Sequence, residues 1–290
     1  MRAGSFGARY GGAALVTGAS AGIGEAFARR LAADGTDLVL VARRADRLEA
    51  LATALAEAHA VRAHVLPMDL TVAGAVPRLV DELAARKVEV GLLVHNAGFG
   101  SAHRFDQTDP GRLAAMVDLH CRVPVELTRA LVPAMIGRGR GAVIVVASVA
   151  AYLASPSDPV YGASKAFDLH LAEGLAAQLG PLGIDVLAVS PGYTRTEFHE
   201  AAGIDPSRLP PFAWSRAGDV AKTALARLGR DPSVVVDRKW RAVAALIRLL
   251  PRGLVNRISG PLFFRKVAPR AADDRGRRPA TARPPGETER

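Results

Sequence analysis

The chain has 290 residues, of which 49% are hydrophobic and 23% charged, which is ordinary for a soluble globular protein with one main core. Its single cysteine, Cys121, excludes an internal disulfide and a cysteine-based metal cluster. The net charge of +10 is uneven: residues 1–229 hold 23 Lys and Arg against 22 Asp and Glu, so no nucleic-acid partner is expected for the main body.

Short β-branched runs alternate with longer segments of helical period along the chain. The first run, Ala13–Thr17, has no apolar stretch of signal-peptide length before it, so we expect a cytoplasmic protein. A helix follows over residues 23–33. Later strand-like runs cover residues 37–42, 61–66, 90–95, 142–147 and 184–190. Because several runs are apolar on both faces, we predict an α/β fold with a doubly wound, Rossmann-like parallel sheet between two layers of helices.

The sequence changes in character after the main body, which we place at residues 1–237. Residues 238–268 form a basic extension, and residues 269–290 hold so few large apolar side chains that we predict a disordered tail. The extension begins with a helical pattern whose arginines, Arg241, Arg248 and Arg252, oppose an apolar face. That face consists of Trp240, Val243, Ala244, Ile247 and Leu250. Such a helix suits peripheral contact with an anionic membrane through residues 238–266, but docking on the body or on a partner subunit is an equal alternative.

The first strand leads into a glycine-rich turn at the start of the first helix. Its candidate binding residues are Gly18, Ser20, Gly22, Ile23 and Gly24. Glycines there permit a tight turn and close backbone approach, while the helix N-terminus offers unpaired N–H groups to a pyrophosphate. The alternative is a plain connection that tolerates glycine. The strand before the turn and the helix after it favour a dinucleotide site.

The second predicted strand ends in Arg43 and Arg44 instead of an acidic residue. A carboxylate at this place binds the ribose 2′-hydroxyl of NAD, whereas guanidinium groups bind a 2′-phosphate. We therefore predict NADP(H) as the cofactor, with NAD(H) still possible. The alternative is two solvated arginines at a helix start.

A phenol, an ammonium group and a hydroxyl occur at spacings that suit carbonyl chemistry. Tyr161 and Lys165 are four residues apart and so share one face of a helix, and Ser148 follows the fifth strand. A tyrosine with an ordinary pKa of about 10 exchanges protons poorly at pH 7 unless a positive charge such as that of Lys165 stabilises its phenolate. The Ser148 hydroxyl can polarise a substrate carbonyl. Taken alone, the Tyr-x-x-x-Lys spacing also fits an ordinary amphipathic helix.

These motifs occur in one order, together with Asn96-Ala97-Gly98 after the fourth strand and Pro191-Gly192 after the sixth. In this arrangement the sequence resembles the short-chain dehydrogenase/reductase family over residues 12–236. The resemblance implies an oxidoreductase that transfers a hydride between NADP(H) and a carbonyl or secondary alcohol. It also implies a homodimer or homotetramer. The implied catalytic residues are Ser148, Tyr161 and Lys165.

The resemblance assigns further cofactor contacts. Asp69 would hydrogen-bond near the adenine amino group, although on its own it also suits the cap of the following helix. Lys165 would hydrogen-bond the nicotinamide ribose. The segment after the fourth strand would line the cofactor and the segment after the sixth would hold the nicotinamide carboxamide, although both also suit plain turns. These segments contribute Asn96, Ala97, Gly98, Pro191, Gly192, Thr194 and Thr196.

One position departs from the family pattern. His120 stands where family members usually carry an Asn that helps to hold a water in the proton relay. A histidine there orients water or itself titrates near neutral pH, so we count His120 among the candidate catalytic residues. The alternative is a histidine packed between helices with its ring satisfied locally. We expect His120→Asn to keep activity with an altered pH profile.

The substrate side of this resemblance is a lid between Tyr193 and Arg216. Its large apolar residues are Phe198, Pro206, Pro210, Pro211, Phe212 and Trp214. They favour a small apolar carbonyl or alcohol substrate, or else they pack the lid onto the body. The alternative function is a catalytically silent dinucleotide-binding protein that acts through partner or membrane contacts. We predict no metal, and the basic segment lacks the interleaved aromatics that nucleic-acid binding needs.

Overall fold

The computed structural model describes residues 4–101, 103–203, 211–255 and 257. The strands, in chain order, are β1 Ala13–Thr17, β2 Leu38–Ala42, β3 Ala63–Pro67, β4 Val90–His95, β5 Gly141–Val146, β6 Ile184–Ser190, β7 Thr194–Arg195, β8 Ser215–Arg216 and β9 Ser233–Val235. The helices are α1 Phe6–Tyr10, α2 Gly22–Ala33, α3 Ala45–His59, α4 Ala75–Ala85, α5 Pro110–Val117, α6 Val123–Gly137, α7 Pro159–Leu179, α8 Phe198–Ala201, α9 Ala217–Arg227 and α10 Arg238–Leu249. A π-helical turn, Asp118–Arg122, joins α5 to α6.

Seven strands form one parallel sheet in the order β3-β2-β1-β4-β5-β6-β9. Strand β1 lies inside the sheet, where Leu15 is paired with Val39 of β2 and Leu93 of β4. The chain therefore forms one half of the sheet from β1 through β2 to β3, and then returns to the other side of β1 to form β4. The predicted doubly wound α/β fold is confirmed, and its ligand site is expected where β1 and β4 diverge at their carboxyl ends.

The core has two layers because every residue of β1 is buried. On one side of the sheet, Val16 packs in a cluster with Phe27 and Leu31 of α2. On the other side, Leu15 packs in a cluster that includes Leu79 of α4. Burial on both faces explains why the strand runs are continuously apolar instead of alternating with polar residues.

Helix α1 and strand β9 are among the elements that were not predicted from the sequence. Helix α1 is a single turn, and it is fixed to the body by a 2.8 Å hydrogen bond from Tyr10 Oη to Asp185 Oδ2. Strand β9 has only three residues and completes the sheet beside β6. Elements this short carry too little periodicity to stand out from loops.

The extension enters the described structure as helix α10, and residues 258–290 lie outside the described residues, as do Pro206 and Pro210 of the predicted lid. The division at residue 237 and the disordered tail therefore stay predictions. In the part of the chain that the structure describes, none of the helices combines the length and the apolar character that crossing a membrane requires.

Candidate active site

A cavity of about 460 Å³ opens at the carboxyl edge of the sheet, a volume ordinary for small-molecule sites. It brings together most of the predicted site residues from seven different segments of the chain. The predicted residues that line it are Gly18, Ser20, Gly22, Ile23, Arg43, Arg44, Asp69, Asn96, Ala97, Gly98, Ser148, Tyr161, Lys165, Pro191, Gly192, Thr194 and Thr196. Of the predicted residues, Gly24 and His120 are not in its lining.

The glycine turn has the backbone geometry of an anion cradle. Gly18 and Gly22 have φ values of 68° and 60°, in the left-handed region that favours glycine. A Cβ at Gly18 would lie 2.8 Å from Asn96 Nδ2. Helix α2 begins after Ala21 with no side-chain cap, so its first N–H groups are free to bind a pyrophosphate. Gly24 instead allows the helix to pack closely on Gly18 and Asn96.

Arg44 lies beside the glycine turn. Its guanidinium donates to Ser20 Oγ at 3.1 Å and pairs with Glu197 at 2.8 Å. Glu197, at the start of the lid, also pairs with Arg47 at 2.5 Å. Arg43 lines the same end of the cavity. Two guanidinium groups and a hydroxyl therefore lie at this end of the cavity, where a 2′-phosphate is predicted, and Arg43 is exposed to solvent.

Asp69 forms a local turn and does not cap a helix. Its Oδ1 accepts from the Thr71 N–H at 2.9 Å and from the Thr71 hydroxyl at 2.7 Å. Helix α4 begins only at Ala75, and its N-cap is Gly74. The capping alternative is therefore wrong, and the turn holds the carboxylate at the rim of the cavity.

Asn96 braces the two central strands. Its Nδ2 donates to the carbonyl of Thr17 at 2.9 Å, and the N–H groups of Asn96 and Ala97 both donate to Thr17 Oγ1 at 3.0 Å. These bonds tie the end of β4 to the end of β1. They therefore fix the position of the segment after β4 relative to the glycine turn after β1.

The segment after β6 is held by its own threonines. Thr194 Oγ1 donates to the Gly192 carbonyl at 3.0 Å, and Thr196 Oγ1 accepts from the Phe198 N–H at 3.3 Å. A Cβ at Gly192 would overlap the indole of Trp240, so this residue has to be small. The segment lines the cavity between the glycine turn and helix α10.

Tyr161 is placed by the N-terminus of helix α7. Asp158 caps this helix by accepting from the Tyr161 N–H at 3.1 Å, and it also accepts from the Ser101 N–H at 2.5 Å. Ser148 follows β5 and lines the same cavity, where its hydroxyl lowers the pKa of the Tyr161 phenol. Lys165 lies one turn further along α7, with Nζ 5.9 Å from the centre of the Tyr161 ring. The structure therefore assembles the three predicted catalytic residues in one place.

Burial has the largest effect on the Tyr161 phenol and raises its pKa, while the charge of Lys165 and the hydrogen bond from Ser148 lower it. The net direction is upward, whereas the sequence argument considered only the lowering by Lys165. A raised pKa keeps the phenol protonated at neutral pH but makes it a weaker acid, so proton donation depends on the two groups that lower its pKa, Lys165 and Ser148.

Asp168 is a partner of Lys165 that the sequence analysis missed. Lys165 Nζ donates to Asp168 Oδ2 and to the Val146 carbonyl, both at 2.9 Å. The spacing of three residues on one helix was visible in the sequence, but many such pairs lie in solvent. Only the fold shows that this face of α7 is turned into the core.

His120 lies behind the cavity, in the π-helical turn. Its Nε2 accepts from the Phe99 N–H at 3.1 Å, and its Nδ1 is 2.8 Å from Ser164 Oγ. Because Ser164 Oγ donates to the Tyr161 carbonyl, Nδ1 carries the proton. Burial, followed by the charge of Lys165, lowers the pKa of His120 well below its ordinary value. The lowered pKa argues against titration near neutral pH, and the two hydrogen bonds satisfy the ring locally beside Tyr161.

Helix α10 forms the apolar wall of the cavity. Trp240, Val243, Ala244 and Ile247 line it, and the Trp240 indole donates to the Ala213 carbonyl at 3.2 Å. The apolar face thus docks on the body, which was one of the two alternatives. Arg248 was predicted on the opposite face, but its guanidinium lies 4.7 Å from the Tyr152 ring centre. Arg248 therefore contacts the body, although its side chain remains 59% exposed.

The lid adds aromatic rings to the same wall. Phe198 contacts Tyr161 with ring centres 5.6 Å apart, and Tyr193 contacts Trp240 at 5.7 Å. His199, which was not predicted, also lines the cavity, and burial lowers its pKa to about 4. Its Nδ1 is buried without a hydrogen-bond partner among the described residues. The lid and helix α10 therefore give this side of the cavity a largely aromatic wall.

Comparison with known proteins agrees with this arrangement. The family model for short chain dehydrogenase matches residues 12–206. Dehydrogenase/reductase SDR family member 7B of Bos taurus is 32% identical over 273 residues, which cover 90% of this chain and 82% of that protein.

Two solved structures extend the likeness. A structure of a 7β-hydroxysteroid dehydrogenase aligns with a TM-score of 0.80 and 25% identity, over 88% of this chain and 99% of that one. A short-chain dehydrogenase from Sphingobium yanoikuyae, in complex with NADPH, aligns with a TM-score of 0.72 and 32% identity, over 83% and 97% of the two chains.

The fold and the site define an oxidoreductase that transfers a hydride between a nicotinamide dinucleotide and a carbonyl or alcohol carbon. The chain belongs to the short-chain dehydrogenase/reductase family, which confirms the resemblance seen in the sequence.

Proposed function

We propose that the protein is an NADP(H)-dependent reductase or dehydrogenase for a bulky, apolar ketone, aldehyde or secondary alcohol. One observation carries the proposal. The phenol of Tyr161, the hydroxyl of Ser148 and the ammonium group of Lys165 meet in a cavity that joins a phosphate cradle to an apolar, aromatic wall.

The residues that line the first half of the cavity suit an NADP(H) molecule. The glycine turn would hold the pyrophosphate, and Arg43, Arg44 and Ser20 would hold the 2′-phosphate. Asp69 would lie near the adenine, and Asn96 would line the nicotinamide side. When bound, this cofactor supplies or accepts the hydride.

Side chains of the protein itself donate and accept the proton. We propose that Tyr161 Oη gives its proton to the substrate oxygen during reduction and takes it back during oxidation. The Ser148 hydroxyl donates a hydrogen bond to the same oxygen and orients it. The charge of Lys165 stabilises the phenolate that remains after the proton has left. His120 supports this group through Ser164 and the Tyr161 backbone, and its ring stays neutral with its one proton on Nδ1.

The second half of the cavity supports the substrate class. The rings of Tyr193, Phe198 and Trp240 offer a large apolar surface, and 7β-hydroxysteroid dehydrogenase, a protein of similar structure, is named for a bulky apolar substrate.

The test is a screen of NADPH oxidation with steroid, acyl and aromatic carbonyl compounds, with Tyr161→Phe as the blank. We expect wild type to consume NADPH with at least one bulky ketone and Tyr161→Phe to be slower by about 10² to 10⁴. Equal rates in both proteins would contradict the role of the phenol. Firm NADPH binding with no turnover of any substrate would favour a catalytically silent binding protein.

We also propose that the enzyme is a homodimer or homotetramer. Val117, Val125 and Phe167 are exposed apolar side chains on and beside the long helices α6 and α7. Light scattering of wild type and Phe167→Glu tests this. A smaller particle in the variant is expected, and a monomeric wild type would contradict the proposal.

We further propose that this enzyme, working in the cytoplasm, contacts membranes through the outer face of α10. Leu246 and Leu249 are 58% and 83% exposed there, and Arg241 and Arg252 are exposed close by along the chain. Sedimentation with anionic liposomes should pull down wild type more than Leu249→Glu. Equal partitioning would count against membrane contact.

A further inference from the structure

Lys165 and Asp168 form a buried ion pair beside the proposed proton donor. The two side chains are 7% and 3% exposed, and their charged atoms are 2.9 Å apart. Every other ion pair between described residues has at least one partner more open to solvent. A pair removed from water in this way interacts far more strongly than a surface pair does.

The pair fixes the position of the ammonium group. Lys165 Nζ has one bond to the Val146 carbonyl at the end of β5 and one to Asp168 Oδ2. These two acceptors lie on different elements, so they hold the amine between α7 and the sheet. The remaining N–H of Lys165 is left for the cavity that this residue lines.

A second, smaller cavity lies on the far side of the pair. It has a volume of about 10 Å³, which suits about one water molecule. Asp168 Oδ1 is buried and has no hydrogen-bond partner among the described residues. The polar residues that line this cavity are Thr17, His95, His120, Lys165 and Asp168.

Among the titratable groups around the pair, Asp168 is the one that places a negative charge beside the ammonium group of Lys165. Burial and the charge of Lys165 lower the pKa of His95 to about 3 and that of His120 well below its ordinary value, so both rings are neutral. Burial raises the pKa of Cys121, in the π-helical turn, to about 11. Asp158 acts on Tyr161 from the start of α7, and Tyr161 is the remaining titratable neighbour of Lys165.

We infer that Asp168 is a positioning residue for Lys165: it fixes the place and the charge of the ammonium group, and so governs how strongly that group acts on the Tyr161 phenol. The inference rests on the proposed roles of Tyr161 and Lys165. Burial lowers the pKa of Lys165, but Asp168 and Tyr161 raise it, and the net direction is upward. Without the carboxylate, the buried amine loses its proton more easily. While the Lys165 amine is still charged, it lowers the pKa of the Tyr161 phenol more strongly, because no carboxylate offsets its charge.

The first experiment measures the amine directly and needs no substrate. Protein labelled with [ε-¹³C]lysine is titrated by NMR without cofactor, and the other lysines of the chain are Lys87, Lys222, Lys239 and Lys266. In wild type we expect Lys165 to titrate no lower than the ordinary lysine value of about 10.4. In Asp168→Asn we expect its titration to move down by at least about one pH unit, a tenfold change in proton affinity.

The second experiment follows the pH profile of kcat/KM for reduction. In Asp168→Asn the alkaline limb moves to lower pH by about one unit, and Asp168→Glu, which keeps the charge, restores most of the wild-type profile. Glu82→Gln is the matched control, because it removes an exposed carboxylate that pairs with Arg86 one helical turn away. A merely structural role would lower kcat without moving the profile.

An unchanged Lys165 titration in Asp168→Asn overturns the inference. If that variant does not fold, the wild-type titration decides, because a Lys165 pKa well below 10.4 means that Asp168 does not sustain the charge. An inactive wild type with a Lys165 titration as expected contradicts the proposed function and leaves the inference standing.

Discussion

Substitutions of Arg44 and Arg47 can separate the effect of cofactor binding from the effect of contact with the lid, because Arg47 contacts only the lid. Both Arg44 and Arg47 pair with Glu197, but only Arg44 also lines the cavity and contacts Ser20. A hydrogen bond from a guanidinium to a phosphate contributes about 1.5–3 kcal/mol. Arg44→Ala should therefore lower kcat/KM with NADPH by about tenfold to a hundredfold and leave that with NADH nearly unchanged.

The control for this prediction is Arg47→Ala, which removes the same kind of contact with Glu197 without touching the cavity. Steady-state rates with both cofactors are the measurement. If the two variants lost NADPH activity equally, the 2′-phosphate site would not be at Arg44. Arg43→Asp should in addition shift the preference towards NADH, because a carboxylate repels the phosphate.

Single residues were predictable where the chemistry is local. The glycine turn, Ser148, Tyr161 and Lys165 lie in short motifs whose spacing sets their geometry. Asp168 and His199 were missed because the sequence does not reveal which side chains of a helix or lid turn inward. The role of His120 was ambiguous for the same reason. It depends on the hydrogen-bond partners Phe99 and Ser164, which only the fold brings to the ring.

Helix α10 offers a matched pair of positions for testing its role as a wall. Ile247 lines the cavity, whereas the adjacent Leu246 is exposed on the outer face. Ile247→Trp fills the apolar half of the cavity, so we expect kcat/KM for a bulky ketone to fall by about tenfold or more and that for a small aldehyde to change little. Leu246→Trp should leave both values near those of wild type. Equal effects from the two variants would contradict the wall.

Helices and strands were predicted well where their apolar pattern extended over enough residues. The strands β1, β4 and β6 have the predicted bounds, because a buried parallel strand is a continuous apolar run. The π-helical turn that carries His120 was not foreseen, since its pattern differs from an α-helix by one residue. The amphipathic pattern of α10 was visible, but its partner was not, because an apolar face fits a protein surface as well as a membrane.

The whole molecule should lose stability in acid through its buried histidines. Burial, followed by the charge of Lys165, lowers the pKa of His95 to about 3, whereas the unfolded chain has the ordinary value of about 6.5. Between these values the unfolded chain binds a proton that the folded protein does not. The free energy of unfolding should therefore fall as the pH falls through this window, by up to about 1.4 kcal/mol per unit for this residue.

Urea unfolding between about pH 7 and pH 5 measures this slope. His95→Gln should flatten it, and the exposed His59→Gln is the control that keeps the wild-type slope. A variant with the wild-type slope would show that His95 is not buried as a neutral ring.

The central claim is that Tyr161 is the proton donor to the substrate oxygen. A crystal structure of the protein with NADPH and an unreactive ketone analogue tests it most directly. The account predicts that Tyr161 Oη and Ser148 Oγ both lie within about 3.2 Å of the analogue's carbonyl oxygen. A phenol turned away from that oxygen, with another side chain in its place, would contradict the account.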